Sequence, residues 1–272
     1  MQRFISILGK ILLFFLLILT LFPFYLLCIN SFKSQKEIIK NPFAFADVWQ
    51  VTNFYKAFPQ VIHPMINSFL VTLLVILITV TVSMLASYAF VRYEKFKGKE
   101  MFYYGIIALL MIPGFVMLVP QFIHITRLKL YNTYAGLILP PAAYQVAMGT
   151  FLIRASMEQL SKSLFEAAQI EGAGDMDILI KIVLPLCLPI ISTVTIMTGL
   201  DIWNNYIWPL VVSTGVKTQQ IAVALTKLIV SVNDGNGVLF AGYIIASLPL
   251  IILFCFASKY FVAGLTQGAV KG

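Results

Sequence analysis

Polar side chains with the spacing of a recognition element gather between two apolar stretches of this chain, around Glu166. Ser163 and Glu166 have the S-x-x-E spacing of a capping box, in which the hydroxyl and the carboxylate each bond a free amide at a helix start. Gly172 then supplies the left-handed residue that ends such a helix, and Asp175 can cap the next one. Apolar residues at steps of three and four predict one apolar stripe: Met157, Leu160, Leu164, Ala167 and Ala168. The pattern predicts a helix-turn-helix over residues 157–178 that has the layout of a docking element.

The elements that must position this segment are strongly apolar. Hydrophobic residues make up 60% of the 272 residues, charged residues 11%, and the mean hydropathy is +0.92. Soluble domains carry about 25% charged residues, so the composition predicts an all-α integral membrane protein with the lipid bilayer as a partner. The net charge of +8 would indicate a nucleic-acid partner only if it clustered on a soluble face. It lies in loops between apolar segments, so no nucleic acid is expected.

Apolar windows of spanning length predict six transmembrane helices, near 8–29, 66–91, 102–125, 133–153, 180–202 and 238–260. The first apolar run is too long for a signal peptide and lacks a small-x-small cleavage site, which predicts an uncleaved span. Pro113, Gly114 and Pro120 should kink the third span near mid-membrane. The second span carries hydroxyls that helices can satisfy internally or share with neighbours: Thr72, Thr79, Thr81, Ser83 and Ser87.

The basic residues predict an orientation. An even number of spans places both termini on one side, and the basic cluster from Arg92 to Lys99 lies in the shortest loop. The positive-inside rule places that loop, both termini and residues 157–178 of this multi-pass protein in the cytosol. The aromatic stretch from Asn30 to Met65 is then external and is expected to lie along the membrane interface.

The sequence contains no evident energy source. The pairs Gly9-Lys10 and Gly98-Lys99 lack the spacing and the hydroxyl residue of a phosphate-binding loop. Asp201, near the outer end of the fifth span, is the clearest embedded acid, and its expected setting there is interfacial and hydrated. The two histidines and three cysteines have no metal-ligand spacing, so no metal is expected.

Residues Glu166 to Pro185 resemble the EAA loop of ABC importer permeases, E-A-A-x(3)-G-x(9)-I-x-L-P. The motif matches without a gap, at Glu166, Ala167, Ala168, Gly172, Ile182, Leu184 and Pro185. Capping and amphipathicity alone favour a simple connecting loop; the full motif in a six-span chain favours docking. The resemblance implies a type I importer permease of a prokaryotic plasma membrane, which is not an enzyme and has no cofactor of its own. ATP and Mg²⁺ would be bound by a partner ATPase dimer. The implied ATPase-coupling residues are Leu164, Glu166, Ala167, Ala168, Glu171, Gly172, Ala173 and Gly174.

The tail from Tyr260 to Gly272, with Trp203-Asn204 and Pro209-Leu210, resembles carbohydrate-importer permeases of the maltose-transporter type. This resemblance implies a homologous second permease subunit, an extracellular solute-binding protein and a sugar substrate. Two alternatives stay open. One is a permease for another solute, such as a peptide, polyamine or anion, and the other is a carrier that works without ATP.

Candidate residues of the substrate pathway are the polar side chains at the start of the second span and near the end of the fifth. They are Asn67, Ser68, Asp201, Asn204 and Asn205. The alternative interpretation for each of them is a helix cap or an interfacial polar group.

Overall fold

The computed structural model describes residues 2–93, 97–230 and 235–269, with side chains at 7–93, 97–228 and 235–255. Lys95 in the basic cluster and the side chains of the tail from Tyr260 lie outside this part. The helices in chain order are α1 Gln2–Ser31, α2 Gln35–Lys40, α3 Thr52–Arg92, α4 Lys99–Leu110, α5 Leu118–Arg127, α6 Tyr134–Met157, α7 Lys162–Ile170, α8 Asp175–Leu186, α9 Leu188–Asn204, α10 Ile207–Val212, α11 Ile221–Val230 and α12 Asn236–Ala269. All are α-helical except the middle of α8, Leu179–Val183, which is a π-helical turn.

Within the described residues, four stretches of helix are long and apolar enough to cross a membrane, at Ile7–Ser31, Thr52–Arg92, Tyr134–Met157 and Asn236–Cys255. The predicted first, second, fourth and sixth spans coincide with them. The predicted fifth span is the pair α8 and α9, which is bent by 76° at Cys187. Pro185 and Pro189 flank the bend, and each removes a backbone donor that a continuous helix would need.

The predicted third span, 102–125, is divided between α4 and α5 instead of forming one kinked helix. The helix stops before Pro113 and Gly114, where turns such as Val116 N–H to the Pro113 carbonyl (3.0 Å) replace helical bonds. Proline disfavours a helical residue before it, and glycine adds flexibility, so the two together end the helix. Pro120 lies in the first turn of α5, where a missing amide donor costs little.

The segment 30–65, which the sequence predicts to lie along the membrane interface, is helical in its last part. The second long helix starts at Thr52 and continues through Pro59 and Pro64. Short α2 precedes it, capped by the Ser34 hydroxyl, which accepts a bond from the Glu37 amide. Between α1 and Thr52 the chain is irregular apart from α2.

The chain forms two compact units: residues 1–65 with 223–248, and residues 66–222 with 249–272. The first unit has a small core of Ala57, Val238 and Ala241. It also encloses the Lys33 side chain, whose ammonium donates to Asn30 Oδ1 (3.1 Å) and the Asn41 carbonyl (3.0 Å). These bonds compensate for burying a charged group.

In the second unit, α3 and α6 approach closely at Gly149. A Cβ added to Gly149 would lie 2.5 Å from the Ser83 hydroxyl, so only glycine allows this spacing. The hydroxyls of Ser83 and Ser87 donate to the carbonyls of Val146 (3.0 Å) and Thr150 (3.1 Å) on α6. Small residues and shared hydroxyls are typical of helix contacts in membranes. The expectation that hydroxyls of the second span are shared with a neighbour is confirmed for these two serines.

Candidate functional site

Helix α7 is fixed to the second unit by one apolar face. Phe165 and Ala168 are buried in a cluster that also contains Met157 of α6 and Ile178 of α8. The predicted stripe is only partly correct, because Ala167 is exposed and Phe165 takes the buried position. The predicted stripe requires one continuous helix from Met157 onward. In the structure α6 ends at Met157 and α7 begins only at Lys162, which changes the helical register.

The predicted capping box at Ser163 is wrong. Ser161 is the residue before the first helical turn, and Ser163 lies within that turn. The Ser161 and Ser163 hydroxyls share a hydrogen bond of 2.8 Å. The Glu166 carboxylate is consequently on the exposed face of α7, available to a partner.

The predicted turn at Gly172 is confirmed. Gly172 has φ +82°, and the amides of Gly172 and Ala173 donate to the carbonyls of Gln169 (2.9 Å) and Ala168 (3.0 Å). This is a Schellman motif, which satisfies the last carbonyls of α7. Ala173 packs against the cluster that holds Ala168, so the turn is anchored on its inner side. The backbone therefore has a defined path from α7 into α8.

Asp175 serves a different purpose from the predicted helix cap. Gly174 occupies the capping position, and Asp175 is the first residue of α8. Its carboxylate accepts bonds from the hydroxyls of Tyr88 (3.0 Å) and Tyr93 (2.7 Å) and from Arg92 Nε (3.3 Å). The hydrogen bond from Tyr93 to this carboxylate raises the pKa of the Tyr93 phenol. We call these four residues the Asp175 latch; they tie the 157–178 segment to the end of α3.

The face of the 157–178 segment that points away from the apolar cluster is exposed and carries both apolar and acidic side chains. Ile170 is 88% exposed at the end of α7, and Met176 is exposed beyond the turn. Of the predicted coupling residues, Ala168 is buried and Leu164 and Ala173 are half-buried. The exposed ones are Glu166, Ala167, Glu171, Gly172 and Gly174. Apolar side chains flanked by acids and held on a rigid turn form a surface suited to a protein partner.

A cleft of about 530 Å³ adjoins this surface at the start of α7. Its walls include the basic residues Arg92, Lys99 and Lys162 and the acids Glu158 and Glu166. Glu166 thus borders both the exposed face of α7 and the cleft, so a partner that fills the cleft would also contact the exposed face.

Arg154 is a functional candidate that the sequence indicated only as one positive charge among many. It is 6% exposed near the end of α6, where it pairs with Glu158 (2.7 Å) and Glu100 (3.2 Å). Its guanidinium lies 3.6 Å from the ring centroid of Tyr103, a cation–π contact. Arg154 thereby links α6 to α4 beside the 157–178 segment. The i, i+4 spacing of Arg154 and Glu158 was the available sequence signal.

The structure assigns Asn67 and Ser68 to internal bonds. Asn67 Nδ2 donates to the carbonyls of Lys217 (2.9 Å) and Gln219 (3.0 Å), and its Oδ1 accepts from the Tyr134 hydroxyl (2.7 Å). The Ser68 hydroxyl donates to Gln220 Oε1 (3.0 Å) and accepts from the Ile221 amide (2.8 Å). Both side chains are buried, and their bonds hold the 217–221 backbone against α3.

The three candidates near the end of α9 differ from one another. Asn205 Oδ1 accepts from the Trp208 amide in the first turn of α10 (3.2 Å). Asn204 Nδ2 donates to the Leu200 carbonyl within its own helix (2.8 Å). Asp201 is exposed, and its Oδ2 accepts from Gln145 Nε2 of α6 at 2.7 Å. Of these three side chains, the Asp201 carboxylate is thus the one that bonds a side chain of another spanning helix.

Comparison with known proteins places this geometry in a family. The model of the family "Binding-protein-dependent transport system inner membrane component" matches residues 79–267. The chain is 36% identical over 261 residues to "Probable ABC transporter permease protein YurM" of Bacillus subtilis, covering 96% of this chain and 87% of that protein. It is 31% identical over 264 residues to "Arabinooligosaccharides transport system permease protein AraQ" of Halalkalibacterium halodurans, covering 95% and 94%.

A solved structure shares the fold. It is the crystal structure of a bacterial ABC transporter involved in the import of the acidic polysaccharide alginate, with a TM-score of 0.85 at 22% identity. The match covers 95% of this chain and 97% of that chain. The family match spans the region that contains α6, the 157–178 segment and the bent pair α8–α9. This chain therefore belongs to the family of inner membrane components of binding-protein-dependent transport systems, and it is a transport component with the type I permease fold, not an enzyme.

Proposed function

We propose that the chain is a permease subunit of an ATP-driven sugar importer and that the 157–178 segment is where the ATPase docks. The observation that carries the docking proposal is the construction of this segment. One face of α7 is buried in the core of the second unit, while Glu166, Ile170 and Glu171 project from the other. A partner that moves this exposed face must move the core behind it, because packed helices shift as units.

The Asp175 latch supplies a second route for this movement. It joins the first residue of α8 to the last turn of α3, a 41-residue helix. A displacement of the docked segment is thereby passed both to α3 and to the bent pair α8–α9. We infer that closure of the ATPases on ATP tilts these helices and exchanges an inward-open for an outward-open pathway. Shifting such a two-state equilibrium from 1:99 to 99:1 requires about 5.5 kcal/mol of differential interaction.

The proposed orientation follows from the basic residues. The cluster between Arg92 and Lys99 and the 157–178 segment lie at the same ends of α3 and α6, since Arg92 bonds Asp175 directly. The positive-inside rule favours the cytosol for this cluster, and ATP is available there. Both termini are then cytosolic. So is the docking surface, by which we mean the exposed face formed by Glu166, Ile170, Glu171 and Met176. The proposed partners are an ATPase dimer that binds ATP and Mg²⁺, a homologous second permease and an extracellular solute-binding protein.

The proposed substrate is a sugar or oligosaccharide. Support comes from the relative named for arabinooligosaccharide transport, which aligns over nearly its whole length. Which sugar is carried depends on the binding protein and on the few side chains that line the pathway.

Reconstitution of the transporter tests the proposed function. The chain alone in liposomes should neither hydrolyse ATP nor concentrate labelled maltotriose, arabinotriose or raffinose, with or without a proton or sodium gradient. Addition of the second permease, the ATPase and the loaded binding protein should produce ATP hydrolysis and accumulation of at least one of these sugars. Accumulation by the chain alone, driven by an ion gradient, would identify a secondary carrier and contradict the proposal.

A further inference from the structure

The Asp201 carboxylate lies level with the middle of α6, although Asp201 itself is near the end of α9. Gln145, which donates to it at 2.7 Å, lies halfway along the 24 residues of α6. A helix of that length is about the thickness of the hydrocarbon core. The bend at Cys187 turns α9 relative to α8, so the end of α9 reaches the middle of α6. With α6 as a span, this contact favours a position near mid-membrane for Asp201 over the interfacial one that the sequence predicts.

The carboxylate is also held in a fixed direction. Gln145 is 7% exposed, and its Oε1 accepts a bond from the hydroxyl of Thr198, which is buried one turn before Asp201 on α9. This chain of two bonds fixes the amide of Gln145 and, through it, one oxygen of Asp201. α6 is the least apolar of the four long helices that could cross a membrane within the described residues.

The side of α9 that carries Asp201 cannot be a lipid-facing surface at low cost. An ionised side chain at the centre of a bilayer is costly unless it faces water, a polar pathway or a partner group. Asp201 and Asn204 are both exposed and lie three residues apart, so they share one face of the helix. The Gln145 amide supplies one hydrogen bond, and carboxylates have capacity for several. The arrangement presents a hydrogen-bond acceptor to whatever passes along this face.

We propose that Asp201, positioned by Gln145 and Thr198, is the point at which this chain contacts the transported solute, accepting hydrogen bonds from its hydroxyl groups. The inference rests on the proposed role in sugar import. A fixed carboxylate matches a neutral solute rich in hydroxyl donors, because each hydroxyl can donate to it without adding a charge. A site built to bond a hydroxyl also rejects an analogue that lacks it, which gives selectivity.

The test compares Asp201→Asn with the wild type in the complete reconstituted complex. The probe is whichever of labelled maltotriose, arabinotriose or raffinose the wild-type complex accumulates, together with its singly deoxygenated analogues. The Asn carbonyl oxygen can still accept the bond from Gln145. The NH2 group of Asn, however, replaces the second carboxylate oxygen, so an acceptor becomes a donor. The variant should lose about 10- to 100-fold in kcat/KM for uptake of the parent sugar. The wild type should reject one deoxy analogue by a similar factor, and the variant should transport the two sugars about equally.

Several readouts distinguish a solute contact at Asp201 from a structural role of its side chain. For Asp201→Asn, the melting temperature in detergent and the rate of ATP hydrolysis without sugar should match the wild type. The charge-matched control is Asp47→Asn, which changes an exposed acid of the other unit. Its melting temperature, ATP hydrolysis, uptake and selectivity should all match the wild type. Unchanged uptake and selectivity in Asp201→Asn would overturn the inference and leave the proposed function intact. Loss of the second permease on purification would overturn it in favour of a subunit contact. Uptake of none of the sugars by the wild-type complex would overturn both.

Discussion

Replacing Gly172 by valine is expected to abolish ATP-driven uptake while leaving the chain inserted in the membrane. Gly172 has φ +82°, a region in which a β-branched side chain is strained by about 1–3 kcal/mol. A Cβ at this position would have no described atom within 4 Å, so crowding does not contribute. The strain is relieved by unwinding the Schellman turn, which displaces Ile170 and Glu171 from their positions on the docking surface. Uptake by the reconstituted complex and co-purification of the ATPase measure the effect.

Two control substitutions isolate the backbone conformation as the cause. Asn tolerates the left-handed region better than other non-glycine residues, so Gly172→Asn should retain most uptake. Gly174 has φ −75° and ψ 167°, and the nearest atom to an added Cβ is 4.0 Å away. Gly174→Val should therefore also be tolerated. Normal uptake by Gly172→Val, or equal losses in all three variants, would show that the turn does not set the docking geometry.

Replacing Asp175 by alanine is expected to uncouple ATP hydrolysis from transport. The substitution removes the acceptor of Tyr88, Arg92 and Tyr93, so the segment loses its direct bonds to α3. Partly exposed ion pairs contribute only about 0–1 kcal/mol, so the melting temperature should change little. The ATPase should still co-purify and hydrolyse ATP, because Glu166 and Ile170 are untouched. Uptake per ATP hydrolysed should fall several-fold, since movement reaches the helices only through the apolar cluster.

Asp177→Ala is the matched control for the latch. Asp177 lies two residues further along α8 and pairs with Lys181 of the same helix, with both side chains exposed. Its removal changes the same charge at nearly the same place without affecting any bond to α3. Uptake per ATP should stay at the wild-type value. Equal uncoupling by both substitutions would assign the effect to surface charge and contradict the role of the latch.

The sequence predicted those features of the fold that depend on local patterns. The spanning helices follow from apolar length alone, and the turn at Gly172 follows from a glycine after an amphipathic stretch, since few other residues adopt its conformation. The division of the third span was anticipated only as a kink. Whether Pro113 bends or ends a helix depends on how neighbouring helices satisfy the freed backbone groups, which no local pattern encodes.

The features that the sequence did not predict depend on long-range contacts. Ser161 and Ser163 are both acceptable caps, and the choice between them is decided by the burial of Phe165 against α6 and α8. Asp175 was assigned to a local cap because its true partners lie more than 80 residues earlier in the chain. Gln145 carries no local signal, since a single amide in a span gains a role only through a distant partner, here Asp201.

A site-specific crosslink from residue 170 measures the docking of the ATPase without any inference from activity. A photoreactive p-benzoylphenylalanine replaces Ile170, which is 88% exposed at the tip of the docking surface. The same replacement at Ile39, which is exposed in the other unit and external in the proposed orientation, is the control. On irradiation of the assembled transporter, we expect an adduct with the ATPase from position 170 and none from position 39. Absence of that adduct from an assembled, active complex, or equal adducts from both positions, would contradict the proposal that the 157–178 segment docks the ATPase.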